Sequence, residues 1–324
     1  QELPQDDQLV EADQQGQEDL QEIYEFVDED PQLVHAAQQE LPEDHMLTHF
    51  PKHSKCPVCQ RCKIRRSPHR RKKHEFLEQD VPEPKEFGEL MTADHIVLLN
   101  PAQYSYEGDT SCLVIQDAAT QWISAYPRPG HDADSSIICL QDFLTAHEQR
   151  AAGHLYSDNS GELANACQYL RIRHDQSTPH RPQSNGIAER AVQRVIQGTR
   201  CLLAASGFSH DWWHHAARAY CQLRNLCDRI RQPDGSFATP YEKRHKCSFD
   251  GYMLAFGQYV DYRPEAPKEI KKMYKFDPQT RPGIFIGYHF HTGGRWSKDY
   301  LVVDTEAYQE SCGKLFYAPV HRVR

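Results

Sequence analysis

No run of about eighteen apolar residues occurs in this 324-residue chain, so no membrane-spanning helix is expected. The N-terminus has no basic stretch followed by an apolar one, and so gives no sign of a secretory signal. It also lacks an initiator methionine, which suits a piece of something longer. Cysteines spaced as a disulfide framework are missing too. Of eleven cysteines only Cys56, Cys59 and Cys62 cluster, which suits a reducing compartment with one metal site. Lys and Arg are absent from residues 1–44, which hold fifteen Asp and Glu. Removing those charges from the net −9 leaves +6 on the remainder. The part expected to fold is therefore basic, compatible with nucleic-acid binding.

The chain has room for about two or three domains. Residues 1–44 are too rich in Gln, Glu and Asp to offset their ordering entropy by burial, and are read as an acidic disordered segment with a transient helix over 18–27. Residues 45–80 begin with His45 and His49, four apart and so on one face of a helix, then Cys56 and Cys59. These make a tetrahedral N2S2 set suited to structural zinc, with His53 and Cys62 as rival ligands. A basic run follows: Arg61, Lys63, Arg65, Arg66, Arg70, Arg71, Lys72 and Lys73. A metal knuckle beside such a run points to contacts with phosphates.

Residues 81–86, Val-Pro-Glu-Pro-Lys-Glu, read as a linker opening a unit that extends to 250. Strands are expected over 90–99, 111–117 and 122–127, then a helix over 135–150. A strand at 155–156, a helix at 161–170, a strand at 171–174 and helices at 186–205 and 211–230 complete it. Trp212 and Trp213 are read as helix packing. The order β-β-β-α-β-α-β-α is that of a ribonuclease H-like mixed sheet with flanking helices. Its first strand lies beside its fourth, bringing Asp94 next to Asp158. Glu189 falls in the first turn of the 186–205 helix, where the dipole favours a carboxylate. Three such acids can converge on divalent metal for phosphoryl transfer. Asp117, closing a strand, is a rival. Arg190, Arg194 and Arg200 are candidates for DNA phosphates. Residues 251–324 carry short strands between Gly, Pro and Asp turns and read as a small β-barrel, with Lys268, Lys271, Lys272, Lys275 and Arg281 as a possible DNA platform.

Taken together, the His45/His49/Cys56/Cys59 set, Ser157-Asp-Asn-Ser-Gly161 and Pro182-Gln-Ser-Asn-Gly-Ile-Ala-Glu-Arg190 resemble the integrase of long-terminal-repeat retrotransposons of the copia-like type. Gly283-Ile-Phe-Ile-Gly-Tyr288 and Tyr300-Leu-Val-Val-Asp304 resemble the element that follows the core in copia-like polyproteins. Thirty residues separate Asp158 from Glu189, fewer than the family usually has, and Ser160 stands where a glycine is frequent. No protease or reverse transcriptase signature is visible.

The resemblance implies an Asp94–Asp158–Glu189 triad holding two Mg²⁺ or Mn²⁺ ions. It also implies 3′-end processing and strand transfer of element DNA into target DNA, and a homo-oligomer joining two DNA ends inside the cell, between cytoplasm and nucleus. The rival readings are a decayed or domesticated copy that only binds nucleic acid through its zinc knuckle, and a ribonuclease H-like nuclease that cuts without joining.

Overall fold

The computed structural model describes residues 41–42, 44–63, 84–158, 160–176, 186–232, 234–265, 270, 274–276, 278–311 and 318–324. Residues 1–40 of the acidic segment, the basic run from Arg65 to Lys73, Lys268, Lys271, Lys272 and the strand expected at 315–317 lie outside these residues.

Strands β1 (Leu90–Val97), β2 (Ser111–Asp117) and β3 (Ile123–Arg128) form an antiparallel meander. Strand β4 (His154–Ser157) lies parallel to β1, and β5 (Arg173–Gln176) parallel to β4. The sheet order is β3-β2-β1-β4-β5, so the first strand is central, as the ribonuclease H-like reading requires.

Alternation along the strands sorts side chains onto two faces. Met91, Ala93, Leu113 and Ile115 pack with helices α3 (Ala133–Phe143) and α5 (Gly161–Leu170) through Leu140, Phe143, Leu163 and Ala166. Cys112, Val114, Ile123 and Ala125 face the long helices α6 (Gly186–Ser206) and α7 (Trp213–Cys227) through Ala191, Val195, Leu202 and Ala216. Strand β2 is therefore covered on both sides, and all seven of its residues are buried. Helices α6 and α7 cross closely at Gly198, where a Cβ would sit 2.1 Å from the Tyr220 ring. Trp212 is buried among Tyr106, Phe208 and Tyr308, in the packing role expected of it.

Two expected helices are broken. The 135–150 helix stops at Phe143, Leu144 is extended, and α4 (Ala146–Ala151) starts afresh. The restart is a capping box: Thr145 Oγ1 accepts from Glu148 N at 3.2 Å, and Glu148 Oε2 accepts from Thr145 N at 2.7 Å. The 211–230 helix begins as a 3₁₀ turn at His210–Trp212 and ends at Cys227.

A two-stranded ribbon, β6 (Ile230–Arg231) with β7 (Phe237–Ala238), and helix α8 (Pro240–His245) lead to the C-terminal sheet. That sheet is antiparallel and ordered β11-β10-β9-β8, from β8 (Tyr259–Tyr262), β9 (Arg281–Phe290), β10 (Trp296–Asp304) and β11 (Val320–Val323). A short helix α9 (Thr305–Ser311) follows β10. The sheet fits a small barrel-like domain. It packs directly on α7, where Gln222 Nε2 donates to Tyr288 O at 2.8 Å and Gln222 Oε1 accepts from Tyr288 N at 3.0 Å.

At the other end, α1 (His45–Thr48) and α2 (Pro57–Cys62) form a knuckle with a minimal core of its own. It borrows Cys201 of α6, which packs with Cys56, Val58 and Cys59. The Arg224 guanidinium of α7 lies 4.0 Å over the Phe50 ring, a contact worth about 0.5–2 kcal/mol.

Candidate functional site

The parallel β1–β4 register pairs Leu90 with His154 and Thr92 with Tyr156. Asp158 lies one residue past the end of β4, on the Asp94 side of that pairing, and near enough for its charge to act on Asp94. Strand parity puts Asp94 on the same face as Ile96, which packs into the cluster containing Ala191 and Val195 of α6. Glu189 lies in the first turn of that helix, one residue after buried Ala188. The fold thus brings three sequence-distant acids to one side of the sheet.

Asp94 registers its neighbours electrostatically. It is half-buried, and its carboxyl is pushed up to about 6, first by desolvation and then by the Asp158 and Glu189 charges. His95 N–H donates to Asp94 Oδ1 at 2.8 Å and opposes that shift only in part. The three carboxylates do not converge as closely as the two clusters of His, Cys and acid described below, in each of which the ligand atoms lie within 4.8 Å of one another. All three offer hard carboxylate oxygens, and the charges of Asp158 and Glu189 are felt at Asp94. A divalent cation fits that donor set.

Asp117, the rival acid, is fully buried and already engaged. Its Oδ1 accepts from Gly88 N at 2.9 Å, and its Oδ2 accepts from Thr120 N and Thr120 Oγ1, each at 2.7 Å. It ties the β2–β3 turn to the entrance of β1 and has no free oxygen facing the other acids. Ser160 has a local task as well. It caps α5, its Oγ accepting from Leu163 N at 3.3 Å, and it donates to Glu162 Oε2 at 2.9 Å.

The structure adds neighbours that sequence reasoning passed over. His95 lies near Asp158, Glu162 and His131; burial, then the His131 charge, pulls its pKa down. His174 Nε2 lies 2.8 Å from Ser157 Oγ, one residue before Asp158. No local motif marks these histidines; only the strand register gathers them.

Of the basic candidates, Arg190 and Arg200 are exposed on α6. Arg194 is half-buried, and lines a cleft with Phe50, Arg224 and Asp228 between the knuckle and the core. That corrects the expectation that it lies along the exposed side. Burial, then the nearby Arg224, lowers its pKa.

In the knuckle, His45, His49, Cys56 and Cys59 are all buried, with ligand atoms within 4.8 Å of one another. Cys56 Sγ lies 3.5 Å from His49 Nδ1, and Cys59 Sγ lies 3.4 Å from His45 Nε2. Zinc held tetrahedrally at about 2.3 Å from sulfur and about 2.0–2.1 Å from nitrogen needs sulfur and nitrogen about 3.6 Å apart. The cluster therefore could hold such an ion and fits a zinc knuckle. Burial pushes His49 down to about 4 and lowers His45, favouring the neutral imidazoles that ligate metal.

One detail differs from the expected helical pair: α1 ends at Thr48, and His49 caps it in the left-handed conformation, φ 51°. That turn aims His49 back at Cys56. Cys56 is itself the N-cap of α2, accepting from Cys59 N at 3.5 Å. The rivals are placed elsewhere. Cys62 donates to Arg200 O at 3.6 Å, and His53, 5.7 Å ring to ring from His45, accepts from Lys55 N.

No protein-family model matches the chain. It is 26% identical over 183 residues, 54% of its length, to the retrovirus-related Pol polyprotein from transposon RE1 of Arabidopsis thaliana. It is 30% identical over 147 residues, 43% of its length, to the retrovirus-related Pol polyprotein from transposon TNT 1-94 of Nicotiana tabacum. The matches span only 12% and 10% of those polyproteins. Among solved structures, the catalytic core domain of BIV integrase aligns over 49% of this chain and 95% of its own, with 23% identity and a TM-score of 0.32. The resemblance read from the sequence is thus borne out: the chain is similar to a segment of copia-like retrotransposon Pol polyproteins.

Proposed function

We propose that the protein is the integrase segment of such an element, an Asp-Asp-Glu polynucleotidyl transferase that trims the 3′ ends of element DNA and joins them to target DNA. The observation that supports this reading is the placement of Asp94, Asp158 and Glu189 on one side of the sheet, near enough that the charges of the last two add to burial in pushing Asp94 up to about 6. These carboxylates would hold two Mg²⁺ or Mn²⁺ ions, which when bound supply a polarised nucleophile and charge stabilisation at the leaving oxygen. Asp94 on β1 and Asp158 just past the end of β4 would form the base of the site. Glu189, exposed at the start of α6, closes it from the helix side. Asp117 supports the turn behind and takes no part.

His45, His49, Cys56 and Cys59 would hold structural Zn²⁺, fixing the knuckle against α6. DNA would be held through its phosphates by Arg190 and Arg194, and by Arg65, Arg66, Arg70, Arg71, Lys72 and Lys73. Arg194 would have to turn out of its cleft to serve. Joining two ends calls for a homo-oligomer, and access to chromosomal DNA calls for passage from cytoplasm to nucleus. Among the described residues no helix is long and apolar enough to cross a membrane, and no membrane step is needed.

The test is a strand-transfer reaction with a labelled duplex of the element's end and Mg²⁺ or Mn²⁺. Joined products that vanish in Asp158→Asn support the integrase. Metal-dependent cuts without joining support the nuclease instead, and DNA binding with no reaction supports the decayed copy.

A further inference from the structure

Away from both clusters, Glu107, His214 and His215 bring three ligand atoms within 4.8 Å of one another. Glu107 sits in the loop between β1 and β2, and the two histidines open α7. That loop is held by backbone hydrogen bonds. Ser105 N donates to Asp109 O at 3.1 Å, Gly108 N to Ser105 O at 2.9 Å, and Tyr106 N to Asp211 O at 3.1 Å.

His214 is wholly buried, and neither of its ring nitrogens makes a hydrogen bond of good geometry among the described residues. The Asp211 carbonyl is near enough to favour a proton on it, but is not placed to accept one well. A buried polar atom left without a partner costs about 1–3 kcal/mol, so such a group calls for an occupant. Glu107 Oε2 stands 3.7 Å from His214 Nε2, and Glu107 Oε1 stands 4.0 Å from His215 Nε2. Those gaps are too wide for hydrogen bonds. They are close to the roughly 3.3 Å between nitrogen and oxygen ligands that share a tetrahedral zinc-class ion.

We propose that Glu107, His214 and His215 form a second transition-metal site, taking a zinc-class dication and clamping the β1–β2 loop to α7. Two imidazoles and one carboxylate select a zinc-class ion over magnesium. Both imidazoles are buried, which favours the neutral form that ligates metal. Glu107 is half-exposed and long, so it can close the remaining few tenths of an ångström at the mouth of the site. The Tyr106 hydroxyl, 2.9 Å from His215 Nε2, would yield that nitrogen to the ion. Arg218, one turn further along α7, is the opposing charge, and Asp211 offsets it at His214.

The experiment measures zinc per chain by elemental analysis after dialysis against buffered free zinc. The parent is the full chain carrying Asp158→Asn, which removes the acid site from the count. Glu107→Gln changes a surface group and does not threaten the fold; His214→Gln is run beside it. The expected result is one equivalent fewer in both variants. In the cobalt-loaded proteins the lost absorbance would carry no thiolate charge-transfer band, which separates this site from the cysteine-containing knuckle. Zinc should also raise the melting temperature of the parent more than that of Glu107→Gln. Equal zinc content in the parent and Glu107→Gln overturns the proposal, whether or not the knuckle is loaded and whether or not the chain joins DNA.

Discussion

Asp94→Asn should make the metal-free protein more stable while removing its activity. The Asp94 carboxyl, ordinarily near 3.8, is raised to about 6 in the folded chain. The folded state therefore holds a proton between those values that the unfolded state releases. Stability contributed through this group is present below the unfolded pKa and falls as pH rises toward 6; by pH 7 the full penalty is in place. Two units would correspond to roughly 3 kcal/mol, and partial exposure reduces this to about 1–2 kcal/mol. Asparagine keeps the oxygen that accepts from His95 N and discards the charge. At pH 7, without divalent metal, the variant should melt higher by about 2–8 °C, from about 2–4 °C per kcal/mol for a domain of this size. The gap should shrink toward zero as pH falls through 6 to 4. Mg²⁺ should raise the melting temperature of the parent and leave the variant unmoved. Thermal melts at three pH values, with chelator and with Mg²⁺, make the measurement. A variant that is destabilised at pH 7, or a gap independent of pH, would refute the claim that Asp94 is held in a charge-frustrated site.

Other substitutions probe the scaffold. Asp117→Ala removes three buried hydrogen bonds and should destabilise the chain by about 2–4 kcal/mol, read by denaturant melts; unchanged stability would mean the turn does not depend on it. Gly198→Val should separate α6 from α7 at a cost of about 1–3 kcal/mol, since its side chain would overlap the Tyr220 ring; an unaltered melt would contradict the close crossing. Cys59→Ser should lose one zinc equivalent and the zinc-dependent part of the stability, and a chelator should reproduce the effect in the parent; zinc content equal to the parent would remove Cys59 from the ligand set.

The fold was legible where alternation was clean. The strand 111–117 and the helix 161–170 fall where apolar spacing puts them, and the central place of the first strand follows from element order. The break at Leu144 was hidden because apolar spacing runs through it, although Thr145 and Glu148 carry the capping-box pattern in plain sight. Asp117 and Asp94 look alike in sequence. Only the donors around them, Gly88 and Thr120 against a lone backbone amide, separate a structural acid from an available one. The gathering of His45, His49, Cys56 and Cys59 could be read from spacing, but the knuckle's packing on Cys201 and under Arg224 at Phe50 could not, because those contacts join distant segments. Glu107 escaped notice for the same reason: it lies over a hundred positions from His214, and meets it only because the loop is pinned to Asp211.

The most direct test of the central claim is one strand-transfer assay run on Asp94→Asn, Asp158→Asn, Glu189→Gln and Asp117→Asn side by side. The first three should lose joining by about a thousandfold or more, the loss expected when several kcal/mol of metal-borne stabilisation disappear. Asp117→Asn should still join DNA at temperatures where it stays folded. Joining that survives in any of the first three, or that fails only in a folded Asp117→Asn protein, would contradict the assignment.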